Sequence, residues 1–363
     1  MSMIVRKTDF PQRMTKFLLR RLEELRAIYG EDSQEYLSLA RQYIYEDAED
    51  QYTEECNAKH YEAGVEVIGG KNVERLYQRH CCIELAFNCL SNCRYCLRSN
   101  YDRFTLTEEQ MNANVAYLNE IEAEEVLLTG GDPFLNLKRL RIFTDKIVEN
   151  VPSMRIIRIA TRVFTQDPAL ISDDLITFLK KLKERIRVEV ATQVNAAVEL
   201  ECEEVKQSFK KVLDLGIPVY SQNVFLKGVN DTPKQLIDLY HAMRMIGIEA
   251  HYLFHCIPMQ GIHHLRPSLD SMIRCYEELV NAGHITGRCK PILAIMSQIG
   301  KITLSPYNYK KLDNGYVQLR SSYLYADRMA YNPNWQLPDH AFVNEDGYLC
   351  IDYLDGDDKS FNI

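Results

Sequence analysis

From Cys81 to about residue 255, short apolar runs rich in β-branched and aromatic residues alternate with longer stretches whose apolar positions return every three or four residues. The runs are CCIELAF, EEVLLTG, RIIRIAT, IRVEVATQ, IPVYSQNVFL and IEAHYLFH, each of strand length. Helical periodicity between them falls near residues 106–120, 136–150, 168–185, 201–215 and 232–247, with a sixth helix over 268–282. Six strand-then-helix units predict an α/β fold in which a parallel sheet curls into a partial (β/α)6, TIM-like barrel. Function is then expected on the loops that leave the C-terminal ends of the strands.

The pattern changes on either side of this block. Residues 12–60 contain no proline, and Phe17, Leu18, Leu22, Leu25 and Ile28 recur at helical spacing, which predicts a helical N-terminal region over 1–75. Gly64, Gly69 and Gly70 mark a turn before the barrel, 76–283. Beyond it, segments such as LSPYNYKKLDNG predict a C-terminal region, 284–363, of turns and short strands that caps the barrel mouth.

A hydrophobic fraction of 46% with 26% charged residues is that of a globular chain with a sizeable core. With 43 basic and 51 acidic residues the net charge is −8, which turns the expectation away from nucleic acid and anionic membranes and toward a small-molecule substrate. Charges interrupt the apolar positions of the N-terminus, so neither an export signal nor a membrane span is predicted, and the expected location is cytoplasmic. Eleven cysteines in such a chain are expected to be reduced or metal-bound.

Three of them stand together. FNCLSNCRYCLRSN, residues 87–100, places Cys89, Cys93 and Cys96 directly after the first barrel strand. A structural zinc site needs four ligands, and no second pair follows. Three thiolates suit an iron-sulfur cluster with one iron left without a protein ligand, whereas electron carriers use four per cluster. One strand later, LLTGGDPF brings Gly130, Gly131 and Asp132 to a strand end where backbone can approach a ligand closely.

The CxxxCxxC loop, with Tyr95 before its last cysteine, resembles that of the radical S-adenosylmethionine (SAM) enzymes. The resemblance implies a [4Fe-4S] cluster on Cys89, Cys93 and Cys96 whose open iron binds SAM, and a barrel of the radical SAM type. It also implies that the Gly130–Gly131–Asp132 strand end holds the methionine amino group. A longer series runs from LYQRH at 76–80 through CRYCLR, VLLTGGDP, IRIATRV, LGIPVYSQNVFLKGVND, HYLFHC, GIHHLR, HITGRCKP and IGK to SPYNY at 305–309. That series resembles the lysine 2,3-aminomutase family, which uses pyridoxal 5′-phosphate (PLP) together with SAM. It implies Lys301 of SQIGK as the PLP lysine, Arg98 as the grip on a substrate α-carboxylate, Tyr77 and Arg79 as residues that seat PLP, and Arg162 and Gln222 as positions around SAM.

Two departures bear on the substrate. Family members acting on free lysine carry two aspartates for its distal ammonium, and the matching positions here are Ile257 and Ala294. An unpaired ammonium in a dry site costs several kcal/mol, so a neutral side chain is expected, with His251, His255, Arg288 and Gln298 as other recognisers. The tail carries only Cys350 after Cys289, so a zinc-linked dimer is not implied, and a homodimer is left open. The expected activity is 2,3-migration of nitrogen in an α-amino acid, with a flavodoxin or ferredoxin as electron donor. A PLP-dependent racemase or deaminase, a radical SAM enzyme without PLP, and a non-enzymatic iron-sulfur carrier are the other readings.

Overall fold

The computed structural model describes residues 10–50, 72–97, 104–283 and 285–358. Its main sheet has nine strands in sequence order: β1 Val73–Tyr77, β2 His80–Ala86, β3 Glu125–Gly130, β4 Ile156–Ala160, β5 Arg187–Thr192, β6 Val219–Phe225, β7 Glu249–His255, β8 Ile292–Ser297 and β9 Gly300–Thr303. The run from β2 to β8 is parallel, and β1 and β9 add antiparallel edges. The helices α3 Glu108–Glu120, α4 Leu137–Asn150, the short α5 Val163–Gln166, α6 Asp173–Lys183, α7 Glu203–Leu213, α8 Pro233–Ile246 and α9 Leu269–Asn281 follow strands β2 to β7. The fold is thus the expected α/β partial barrel. One set of alternate strand residues, including Ile83, Val126, Ile157, Val190 and Leu253, packs under the helices in the main core. The other set faces the concave side of the sheet.

The helix ends follow local chemistry. Thr107 and Thr232 each form a capping box, with Gln110 and Gln235 respectively, and Gly247 ends α8 at φ +99°, in the left-handed region. The β6–β7 register slips at His251, which has no partner of its own while Ala250 and Tyr252 face Ser221 and Gln222. This bulge turns two consecutive side chains, His251 and Tyr252, toward the concave face.

Three expectations are corrected. The barrel sheet does not stop at residue 283, because β8 pairs in parallel with β7 and β9 folds back on β8, carrying the sheet to Thr303. The mouth is covered from the N-terminal side. There α1 Lys16–Tyr29 and α2 Gln34–Ala40, with the segments beside them, reach the loops after β2, β4, β5 and β6 through Arg13, Thr15, Gln42 and Gln34. The C-terminal region instead forms a four-stranded antiparallel sheet of β10 Tyr309–Lys311, β11 Tyr316–Leu324, β12 Ala341–Val343 and β13 Tyr348–Leu354, with α10 Tyr325–Tyr331. It packs at the side of the barrel, where β11 and α10 bridge the β9 and β1 edges through Tyr323 and Tyr331. Finally, Leu18, Leu22 and Leu25 are buried in a second apolar cluster beneath the N-terminal helices, whereas Ile28 is 69% exposed. The Gly64, Gly69 and Gly70 turn lies outside the described residues. Among the described residues no helix is long and apolar enough to cross a membrane.

Candidate active site

The loop after β2 carries Cys89, Cys93 and Cys96, none in a disulfide. It is pinned from two directions. From below, the Gly131 N–H donates to the Ala86 carbonyl at 2.5 Å and the Asp132 N–H to the Asn88 carbonyl at 2.6 Å. A Cβ on either Gly130 or Gly131 would overlap those backbone atoms, and Gly130 also has φ +120°. From above, Arg94, between two of the cysteines, is fully buried and reaches Glu49 with Nε at 2.8 Å, while its N–H donates to the Gln42 carbonyl. Among the described residues no three His, Cys, Asp or Glu converge as ligands of a single ion. Cys89, Cys93 and Cys96 are all reduced and partly exposed on one loop, the donor set that thiolate ligation of an iron-sulfur cluster requires.

Arg162, after β4, lies against this loop with all five N–H donors engaged. Nε donates to the Gln193 carbonyl at 3.2 Å, one terminal nitrogen to Cys93 Sγ at 3.0 Å and to Tyr95, the other to Gln42 at 3.1 Å and Glu199 at 2.8 Å. Gln166 adds a second donor to Cys93 Sγ at 3.3 Å. The Arg162 side chain therefore holds the cysteine loop. Asp132 is committed in the same way. Its carboxylate accepts from Thr161 at 2.8 and 2.9 Å, from the Arg162 N–H at 2.8 Å and from the Phe134 N–H at 3.1 Å, and burial pushes its pKa up to about 6. Gln222 sits half-buried on the concave face of β6, its carbonyl accepting from Gln193 at 3.2 Å.

Deeper in the concavity, side chains from seven strands form a closed ring. Tyr77 meets His80 edge-on at 5.7 Å, His80 approaches Glu125 at 3.5 Å, and Glu125 pairs with Arg158 at 3.1 Å. Arg158 lies over Tyr220 at 5.7 Å, Tyr220 meets His251 at 6.0 Å, and His251 stacks on Tyr252 at 3.9 Å. The Tyr252 hydroxyl accepts from Lys301 Nζ at 2.9 Å, and Lys301 lies 5.7 Å from the Tyr77 ring, closing the circuit. Lys301 is set by a tight turn. Gly300 has φ +111° and a Cβ there would strike the Tyr323 ring at 2.8 Å, while Arg328 donates to the Ile299 carbonyl at 2.6 Å. Among the described residues Lys301 has no carboxylate partner, and its amine stands between the aromatic faces of Tyr77 and Tyr252. An amine that donates only to a tyrosine hydroxyl and stands between aromatic faces fits a planar aromatic aldehyde such as PLP. Burial first, then Arg158 and Lys301, depresses the His251 pKa to about 4, so its imidazole is neutral.

Other expected residues are placed elsewhere. Arg79 points away from the ring and pairs with Glu124 at 2.6 Å and Glu122 at 3.3 Å on the surface, so it does not join Lys301. Arg288 is exposed beside Glu249. His255 is buried between the Tyr353 hydroxyl and the Pro267 carbonyl, both at 2.8 Å, as a structural bridge. Ile257 belongs to the apolar cluster under the N-terminal helices, Ala294 is buried on β8, and Gln298 lies half-buried in the β8–β9 turn. Arg98 lies outside the described residues. Sequence reasoning did not single out Arg158, Tyr252, Gln166, Tyr43 or Glu199. For Arg158 a signal existed, a charge at an alternate position of an otherwise apolar strand, RIIRIA.

A cysteine triad at the end of the first parallel strand of an open α/β barrel agrees with a family match. Residues 83–240 match the radical SAM superfamily, a match that implies a [4Fe-4S] cluster and SAM. The chain is 30% identical over 227 residues to L-lysine 2,3-aminomutase of Bacillus subtilis (61% of this chain, 47% of that protein). It is 32% identical over 231 residues to the enzyme of Methanococcus maripaludis (61% and 51%) and 31% over 211 residues to that of Acetoanaerobium sticklandii (57% and 50%). The chain is thus similar to lysine 2,3-aminomutases over its barrel, and spans about half the length of these curated relatives.

Proposed function

We propose that the chain is a PLP-dependent radical SAM aminomutase that moves the nitrogen of an α-amino acid, other than free lysine, from C2 to C3. The supporting observation is Lys301: an amine on the concave face, with no carboxylate partner among the described residues, between two aromatic faces, in the barrel whose first loop carries the cysteines. When bound, the cluster with SAM supplies a hydrogen-abstracting radical, and PLP supplies a ring that delocalises the unpaired electron during migration. Lys301 Nζ provides the amine that holds the aldehyde, and the Tyr252 hydroxyl fixes its direction. Gly130, Gly131 and Gln222 are proposed as positions around SAM, the glycines also admitting the Ala86 and Asn88 backbone. Arg98 is assigned the substrate carboxylate, for which a planar guanidinium offers a bidentate contact. The ring beneath and the N-terminal helices above exclude water from reactive species. Ile257, within an apolar cluster, and Ala294, buried on β8, supply no acid for a distal ammonium and favour a neutral substrate side chain. A low-potential flavodoxin or ferredoxin is proposed as electron donor.

The test is to incubate anaerobically reconstituted, reduced enzyme with PLP, SAM and a panel of amino acids, and to separate α and β isomers by mass-resolved chromatography. A β-amino acid from at least one neutral substrate is expected, as is loss of the long-wavelength absorbance of bound pyridoxal in Lys301→Ala. Return of every amino acid unchanged overturns the assignment.

A further inference from the structure

Cys93 differs from an ordinary loop cysteine in having two N–H donors aimed at its sulfur, Arg162 at 3.0 Å and Gln166 at 3.3 Å. Both belong to the single helical turn that follows β4, with Arg162 capping α5 and Gln166 ending it. Neither is free to swing. Arg162 is locked by Glu199, Gln42 and the Gln193 carbonyl. Gln166 Nε2 also lies 3.5 Å from the hydroxyl of Tyr43, a fully buried residue of the N-terminal region, and the Gln166 carbonyl accepts from Thr15 of the same region. The surroundings are dry, with Tyr43 and Tyr95 both buried.

We propose that Gln166 and Arg162 are positioning residues that set the reduction potential of a cluster carried on Cys93, and that the N-terminal region, through Tyr43 and Gln42, keeps them aimed. An N–H donor on a thiolate draws off negative charge and favours the reduced, more negative cluster; hydrogen bonds to cluster sulfurs and solvent exposure are the protein's main controls on such potentials. The guanidinium adds a positive charge at the same sulfur. The N-terminal region is thereby part of the electronic environment of the cluster as well as a cover. The inference rests on the radical SAM assignment and is independent of PLP and of the substrate.

The experiment is an EPR-monitored redox titration of the reconstituted full-length protein, without SAM or PLP, using low-potential mediators. Gln166→Met keeps side-chain length and removes both amide donors, and Gln166→Glu places an anion at the same point. The midpoint is expected to move to more negative potential in Gln166→Met and further in Gln166→Glu, at unchanged iron content. A Gln166→Met midpoint equal to that of the parent protein, with full iron content, overturns the proposal. Should either variant fail to load iron, Tyr43→Phe decides. It leaves Gln166 in place but removes its second contact, and a smaller negative shift supports the proposal while an unchanged midpoint overturns it.

Discussion

The ion pair between Glu49 and Arg94 ties the N-terminal region to the cysteine loop, and removing its acid tests how firmly. Arg94 has no side-chain exposure and Glu49 only 3%. Arg94 Nε contacts both carboxylate oxygens, at 2.8 and 3.1 Å, and a terminal nitrogen makes a third contact. Breaking such a pair by deleting one partner costs about 3–5 kcal/mol, because the remaining charge stays buried. Here the Phe10 carbonyl, 3.0 Å from the other terminal nitrogen, still accepts, so Glu49→Ala is expected near the lower end, about 3 kcal/mol. Glu49→Gln keeps an acceptor and loses only charge assistance, about 1.5 kcal/mol. Against a domain stability of about 5–15 kcal/mol the first is a large fraction. Urea unfolding followed by circular dichroism under anoxic conditions measures both, with the slope m checked for constancy. The double variant Glu49→Leu/Arg94→Met, which removes both charges, is expected to recover most of the loss. A Glu49→Ala protein within about 1 kcal/mol of the parent would refute the reasoning, since it would mean the guanidinium finds water and the loop is not clamped.

Two further outcomes follow from the same structure. Gly131→Ala places a methyl group on the Asn88 backbone, so the β3 end and the cysteine loop separate. An overpacking loss of about 1–3 kcal/mol and reduced iron per chain after reconstitution are expected, and unchanged iron content and urea midpoint would contradict it. Buried His255 and His264 titrate at about 3 and His251 at about 4, each lowered first by burial. The unfolded chain takes up these protons near 6.5 and the folded chain does not, so they withdraw stability as pH falls from about 7 toward 4. Asp132, raised to about 6, works in the opposite direction between about 6 and 4. The histidine contribution is isolated by comparing the parent with His264→Gln across that range. The variant should lose less stability on acidification, and parallel curves would show that His264 is not held neutral by the fold.

The strand and helix series was legible because periods of two and 3.6 residues separate cleanly in this chain, and the cysteine triad because its spacing is local. Lys301 was visible only through the surrounding motif series, since a lone lysine after a glycine is ordinary. What was not legible is long-range. The Arg162 donors end on Gln42, Cys93, Tyr95, Gln193 and Glu199, and no local pattern announces partners up to 120 residues away. Arg79 was misplaced because a two-residue turn after Tyr77 sends the next charged side chain outward, to Glu122 and Glu124. The covering of the mouth was assigned to the wrong end because helical periodicity says which face of α1 is apolar, not which surface that face meets. His251 joined the ring through a bulge, an extra residue that alternation within one strand does not reveal.

The sheet's two edge strands meet through side chains, not backbone hydrogen bonds: Tyr77 of β1, Lys301 of β9, and Tyr323, whose hydroxyl lies 3.5 Å from that of Tyr77. A wall made of rings and an amine can part by rotation about side-chain bonds, with every strand pairing intact. Tyr77 is 41% exposed, so this seam, with Lys301 beside it, borders the surface on the flank of the barrel. The two edges of the open sheet can therefore adjust to one another without the loss of a backbone hydrogen bond, which a paired seam would not allow.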